Sequence, residues 1–166
     1  MKIEIVINTR RHKEHNEIAE IFAGILREKE YKIVIVDLGV DMRAHEKSQM
    51  IKQEQPHLII TFDMAGFELR TTLDNASYNI MPYRMAHILP GEYRVYSEWL
   101  RESMNFSMFF YASAKTAEDI KKNHLGTENV YPVDRLSVSR WWDDNDKVCE
   151  LIHKIINDTE IELDFK

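Results

Sequence analysis

The chain is poor in the residues that would narrow its class quickly. Its 166 residues include one cysteine, four prolines and five glycines. A lone Cys149 cannot close an internal disulfide, and a chain of this length buries roughly 70% of its extended surface, so the core needs no covalent or metal staple. Glycine is missing from the segment after the first apolar run, Asn8-Thr9-Arg10-Arg11-His12. That excludes a P-loop and a G-x-G-x-x-G fingerprint, whose tight turns require it. Positive charge is also short: 22 Lys and Arg against 28 Asp and Glu leave a net charge of −6. A broad basic face for nucleic acid or an anionic membrane is therefore not expected. The start, MKIEIVINTRRHKEHNE, has no apolar signal core and no stretch of spanning length. Cytoplasmic residence is the expectation that follows.

What is present is alternation. Residues 3–7 form a β-branched run suited to a strand buried on both faces. After a polar break, Ile18, Ile21, Phe22, Ile25 and Leu26 recur at helical spacing. Residues 31–36 form a second strand, residues 45–53 a second helix stopped by Pro56, and residues 58–62 a third strand. The excursion from 63 to 92 is irregular, with a short helix expected over 83–89. A helix is predicted over 92–104, an aromatic strand over 106–112, and a helix opened by Thr116 and Asp119 that Gly126 ends. Residues 130–133, with Pro132, suit an edge strand. Val148, Leu151, Ile152, Ile155 and Ile156 mark a final amphipathic helix, and the chain from Thr159 reads as a loose tail. The expectation is one α/β domain over 1–158: a three-layer α/β/α sandwich on a mainly parallel five-stranded sheet, flavodoxin-like or Rossmann-like.

Ligands of such sheets sit beyond the carboxyl ends of the strands. Three segments qualify. In the first, Asn8, Arg10, Arg11 and His12 precede a helix N-terminus, and the arginines suit phosphate or carboxylate; an ordinary solvated surface is the competing reading. In the second, Asp63 could orient a ligand or cap the next turn, Gly66 allows close backbone approach, and Arg70 follows. The third runs from Asn75 to His87 and offers Asn79, Arg84 and His87, the last two facing together if the segment is helical; its apolar residues read as core. His12 and His15 are one residue short of the H-E-x-x-H zinc spacing and read as a structural or surface pair, so no metal and no cofactor is expected. Cys149 reads as buried, and Ser113 lacks the glycines of a hydrolase elbow. Trp141 and Trp142 either cover the sheet or anchor a protein partner.

Leu58-Ile-Ile-Thr-Phe-Asp63-Met-Ala-Gly66-Phe67, then Ser107-Met-Phe-Phe-Tyr111, and Asp119-Ile through Glu128-Asn-Val130-Tyr-Pro132-Val, set on strand–helix units in that order, resemble the N-terminal half of a GT-B glycosyltransferase, in particular bacterial CgeB-like members. The resemblance is one of layout over residues 1–135 and transfers no catalytic residue. GT-B enzymes hold the sugar donor mainly in a second domain, so it implies an acceptor-side half that binds a small anionic or sugar-containing ligand without being a self-sufficient enzyme. The alternative expectation is an acidic protein-binding protein, such as an immunity protein that neutralises a bacterial toxin domain. No residue set assigns a reaction.

Overall fold

The computed structural model describes residues 2–10, 12–39, 41, 43, 46, 49–50, 53–62, 84–89, 108–123, 129–133, 136 and 143–163. Strand β1 (Lys2–Ile7) leads to helix α1 (His15–Glu28), then β2 (Lys32–Asp37), β3 (Leu58–Phe62), β4 (Arg84–Leu89), β5 (Met108–Ala112), α2 (Ala114–Asn123), β6 (Val130–Pro132) and α3 (Asn145–Leu163). The strands form one six-stranded sheet in the order β2-β1-β3-β4-β5-β6, every pairing parallel. The parallel α/β expectation holds, with one strand more than the five anticipated. No helix among the described residues is long and apolar enough to cross a membrane.

Each face of the sheet follows from the period-two alternation of its strands. Ile3, Ile5, Ile7, Leu58, Ile60, Phe62, Ala86, Ile88, Phe109 and Tyr111 share one face, packed against Ile18, Ala19, Phe22, Ala23 and Leu26 of α1 and Val148, Leu151, Ile152, Ile155 and Ile156 of α3. Phe22 meets Phe62 edge-on at 5.1 Å between ring centroids, the favoured aromatic geometry. Tyr111 is fully buried, and its hydroxyl donates to Asp158 Oδ2 at 2.8 Å, tying α3 to β5. Burial pushes the phenol up, with the Asp158 hydrogen bond and charge adding to it. Lys154 lies 3.4 Å from the same carboxylate and 4.1 Å over the Tyr131 ring.

The opposite face carries polar groups that hydrophobic patterning does not anticipate. Glu4 of β1 is fully buried, and neither carboxylate oxygen has a hydrogen-bond partner among the described residues. Burial, reinforced by Glu54 and opposed by Lys2, pushes its pKa up to about 8. His87 of β4 is also fully buried; its Nδ1 lies 2.5 Å from Thr61 Oγ1, and its ring stacks on Phe110 at 5.3 Å. Desolvation pushes its pKa down to about 3, so the imidazole is neutral.

Three local expectations are corrected. Residues 84–89 are a buried strand between β3 and β5, not a short helix. Helix α2 starts at Ala114, directly after Ser113, whose carbonyl accepts the Ala117 N–H at 2.8 Å; Thr116 therefore lies inside the first turn and does not open the helix. Helix α3 continues past Thr159 to Leu163, and Thr159 is buried, its hydroxyl donating to the Ile155 carbonyl at 2.8 Å, so residues 159–163 of the expected loose tail are helix, and 164–166 lie outside the described residues. The expected helix over 45–53 is matched where it is described, since Glu46, Gln49, Met50 and Gln53 are helical. The helix expected over 92–104 lies outside the described residues.

Candidate functional site

The order of strands across the sheet reverses at β1. The connection leaving β1 goes outward to β2, and the chain then returns across β1 to pair as β3. β2 and β4, the strands that follow β1 and β3 in the chain, lie on opposite sides of this pair, and open parallel sheets generally bind ligands beyond the carboxyl ends of the strands at such a point. Asn8, Thr9 and Arg10 occupy the β1 side of it.

The turn there is held by the end of β2. Asp37 closes β2, and its Oδ1 accepts the Thr9 N–H at 3.1 Å and the Gly39 N–H at 2.8 Å, while Oδ2 accepts the Thr9 hydroxyl in a short hydrogen bond. Burial alone would raise this carboxyl. The hydrogen bonds from Thr9 and Gly39, and the charge of His15, outweigh it and lower the pKa, so Asp37 is ionised. Asn8 is buried and folds back so that its Oδ1 accepts the Arg10 N–H at 3.1 Å, an Asx turn. The Asn8 carbonyl accepts the His12 N–H at 3.0 Å, and the Leu38 N–H reaches the Ile7 carbonyl at 2.8 Å. Gly39 has to be glycine for space: a Cβ would stand 2.8 Å from the Arg10 nitrogen and 3.0 Å from Asn8 Oδ1 and Asp37 Oδ1. Two loops are thus clamped on one carboxylate, leaving the Arg10 side chain exposed and His12 half-buried.

Helix α1 begins immediately beyond. Glu14 at its N-cap makes no side-chain capping hydrogen bond. His15, the first helical residue, is fully buried and faces Phe62 at 6.2 Å, while its ring stacks on His12 at 4.5 Å with 18° between planes. His12 Nδ1 lies 3.6 Å from Glu14 Oε1.

The structure therefore brings Asn8, Arg10 and His12 together, as the sequence leads one to expect, and separates Arg84 and His87 from them. Arg84 opens β4, with register partner Leu58, which pairs with Ile3. It stands at the amino end of the sheet, about 15–20 Å from the carboxyl edge for a strand of this length. It is buried, and its Nε and Nη2 have no hydrogen-bond partner among the described residues. Residues three apart in a strand point to opposite faces, so Arg84 and His87 do not face together. His87 is fully buried on the face opposite Arg84, with its Nδ1 against Thr61. Arg11, Asp63, Arg70, Asn79, Trp141 and Trp142 lie outside the described residues. Ser113 is buried and donates to Thr116 Oγ1 at 3.1 Å, a structural role.

Asp37, which is not among the residues expected at the site, organises the turn. The signal available was Asp37-Leu-Gly39, an acidic residue two before a glycine at a strand end, which is a turn-forming pattern. Among the described residues, His12, Glu14 and His15 form a group in which one ligand-type atom of each lies within 4.8 Å of those of the other two. No protein-family model and no curated protein matches the chain, so what stands established is the parallel α/β fold and its strand order.

Proposed function

We propose that the protein is a small-ligand-binding α/β domain, of the kind that forms the acceptor half of a GT-B glycosyltransferase, and that it takes an anionic or sugar-containing ligand over the carboxyl ends of β1 and β3. The observation that carries this reading is the strand order, which puts its reversal at β1 beside a clamped turn. Arg10 is exposed at that turn and offers a planar set of donors matched to phosphate or carboxylate. The N-terminus of α1, without a side-chain cap from Glu14, adds backbone donors and the positive end of the helix dipole. Asp37 does not contact the ligand in this reading; it holds the backbone of Thr9 and Gly39 so that the Arg10 turn is preformed, which lowers the ordering cost of binding.

A thermal-shift panel of nucleotides, nucleotide sugars and sugar phosphates tests the proposal. A ligand at 100 times its dissociation constant stabilises by about 2.7 kcal/mol, which for a domain of this size is about 5–10 °C in Tm. At least one compound class should give such a shift in the wild type and a much smaller one in Arg10→Ala. A panel without any shift, or a hit that Arg10→Ala leaves intact, removes the support for this site.

A further inference from the structure

The group at the mouth of α1 contains chemistry that an anion site does not use. Two imidazoles and a carboxylate meet there within four residues, His12-Lys13-Glu14-His15, because the turn that ends at His12 runs straight into the first residue of α1. We propose that His12, Glu14 and His15 form a mononuclear site for a divalent transition-metal ion such as zinc(II), with the remaining coordination positions open to water or to an exogenous ligand.

The distances support this. Bonds of about 2.0–2.1 Å in a tetrahedral site place neighbouring ligand atoms about 3.3 Å apart. His12 Nδ1 and Glu14 Oε1 are already at 3.6 Å, and the three residues each offer one ligand atom within 4.8 Å of the other two. The widest gap closes by about 1.5 Å to meet that geometry. The side chains that must move are those free to do so: the Glu14 side chain is 62% exposed and that of His12 30%. His15 is the fixed member, fully buried on the first turn of α1 against Phe62. The stacked rings do not aim their in-plane lone pairs at one point, so His12 turns about its Cα–Cβ bond when it ligates, and the 4.5 Å stack opens.

The donor set selects the class of ion. Calcium and magnesium take oxygen ligands, whereas two imidazole nitrogens with one carboxylate suit zinc and its first-row neighbours. Three protein ligands also match the open type of site, in which a further position is left for a non-protein group. The Asn8 carbonyl holds the His12 backbone N–H at 3.0 Å, so the ligand-bearing turn is pinned.

The test is titration of the full chain with cobalt(II), followed by its visible d–d absorption, and then displacement by zinc(II) against a competing chelator. One ion per chain should bind saturably, with the strong bands of a four- or five-coordinate site. His12→Ala and Glu14→Gln alter accessible side chains and should each weaken binding by at least about 100-fold, since even the loss of an outer-shell partner costs 10–100-fold. His153→Ala, an exposed histidine on α3, should bind like the wild type. Far-UV circular dichroism checks that each variant keeps the fold. Absence of saturable binding by the wild type overturns the proposal, as does unaltered affinity in both His12→Ala and Glu14→Gln, or equal loss in His153→Ala. The probe is the metal alone, so this outcome is independent of the thermal-shift panel.

Discussion

The two buried titratable groups on the second face of the sheet make the stability of this protein depend on pH in a defined way. Glu4 has its pKa raised from 4.5 to about 8 by burial and Glu54, against Lys2, and neither oxygen finds a hydrogen-bond donor among the described residues. Between those values the folded state holds a proton that the unfolded chain releases, so stability is complete below pH 4.5 and declines as pH rises toward 8. The slope for one group is about 1.4 kcal/mol per pH unit, which accumulates to at most about 5 kcal/mol across this range. His87 acts in the opposite sense. Its pKa falls from 6.5 to about 3, so its contribution is complete above pH 6.5 and declines as the solution is acidified through that range. The two slopes cancel between pH 4.5 and 6.5, giving a plateau with a falling limb on either side. Urea unfolding of the wild type and Glu4→Gln from pH 4 to 8.5 reads this directly. The amide stays neutral, so any packing cost of the substitution is constant, and the variant should gain on the wild type by about 3 kcal/mol between pH 4.5 and 7. Parallel curves for the two proteins over that range would refute a buried, proton-holding Glu4.

Other consequences concern the clamp and the core. Gly39→Ala brings a Cβ to 2.8 Å from the Arg10 nitrogen, a backbone atom, so the turn must shift; a destabilisation of about 1–3 kcal/mol is expected by denaturant unfolding. Asp37→Ala strips acceptors from the Thr9 and Gly39 N–H groups and should cost about 1–3 kcal/mol, with faster hydrogen exchange at both amides. Tyr111→Phe removes the donor to Asp158 and should lower stability by about 1.5–3 kcal/mol, while the double variant with Asp158→Asn should lose less than the sum of the two single changes. Phe22→Ala opens a cavity beside Phe62 and should cost about 3–5 kcal/mol by the same assay.

Much of the first half of the fold is legible because its signals are local. The β-branched run of β1, the helical spacing of Ile18, Phe22 and Leu26, and the break at Pro56 each lie within a few residues of the structure they specify. The turn after β1 was legible to the same extent: Asn8, Arg10 and His12 follow a strand end directly and share its hydrogen bonds. Residues 84–89 misled for a physical reason. Arg-Met-Ala-His-Ile-Leu is rich in good helix formers, and its Arg and His read as solvent-facing. They are buried in a strand because β3 and β5 supply hydrogen-bonding partners on both sides, and Thr61 supplies the acceptor or donor that His87 needs.

The sequence by itself determined the parallel α/β class, the helix faces and the turn after β1, since alternation, helical spacing and turn chemistry act between near neighbours. Only the tertiary structure decided which strands are adjacent, and hence that the strand order reverses at β1, that Arg84 stands at the far edge, and that Asp37 clamps Thr9 and Gly39. It also decided the protonation of Glu4 and His87. Strand pairing and desolvation arise between residues far apart in the chain, and no local pattern records them.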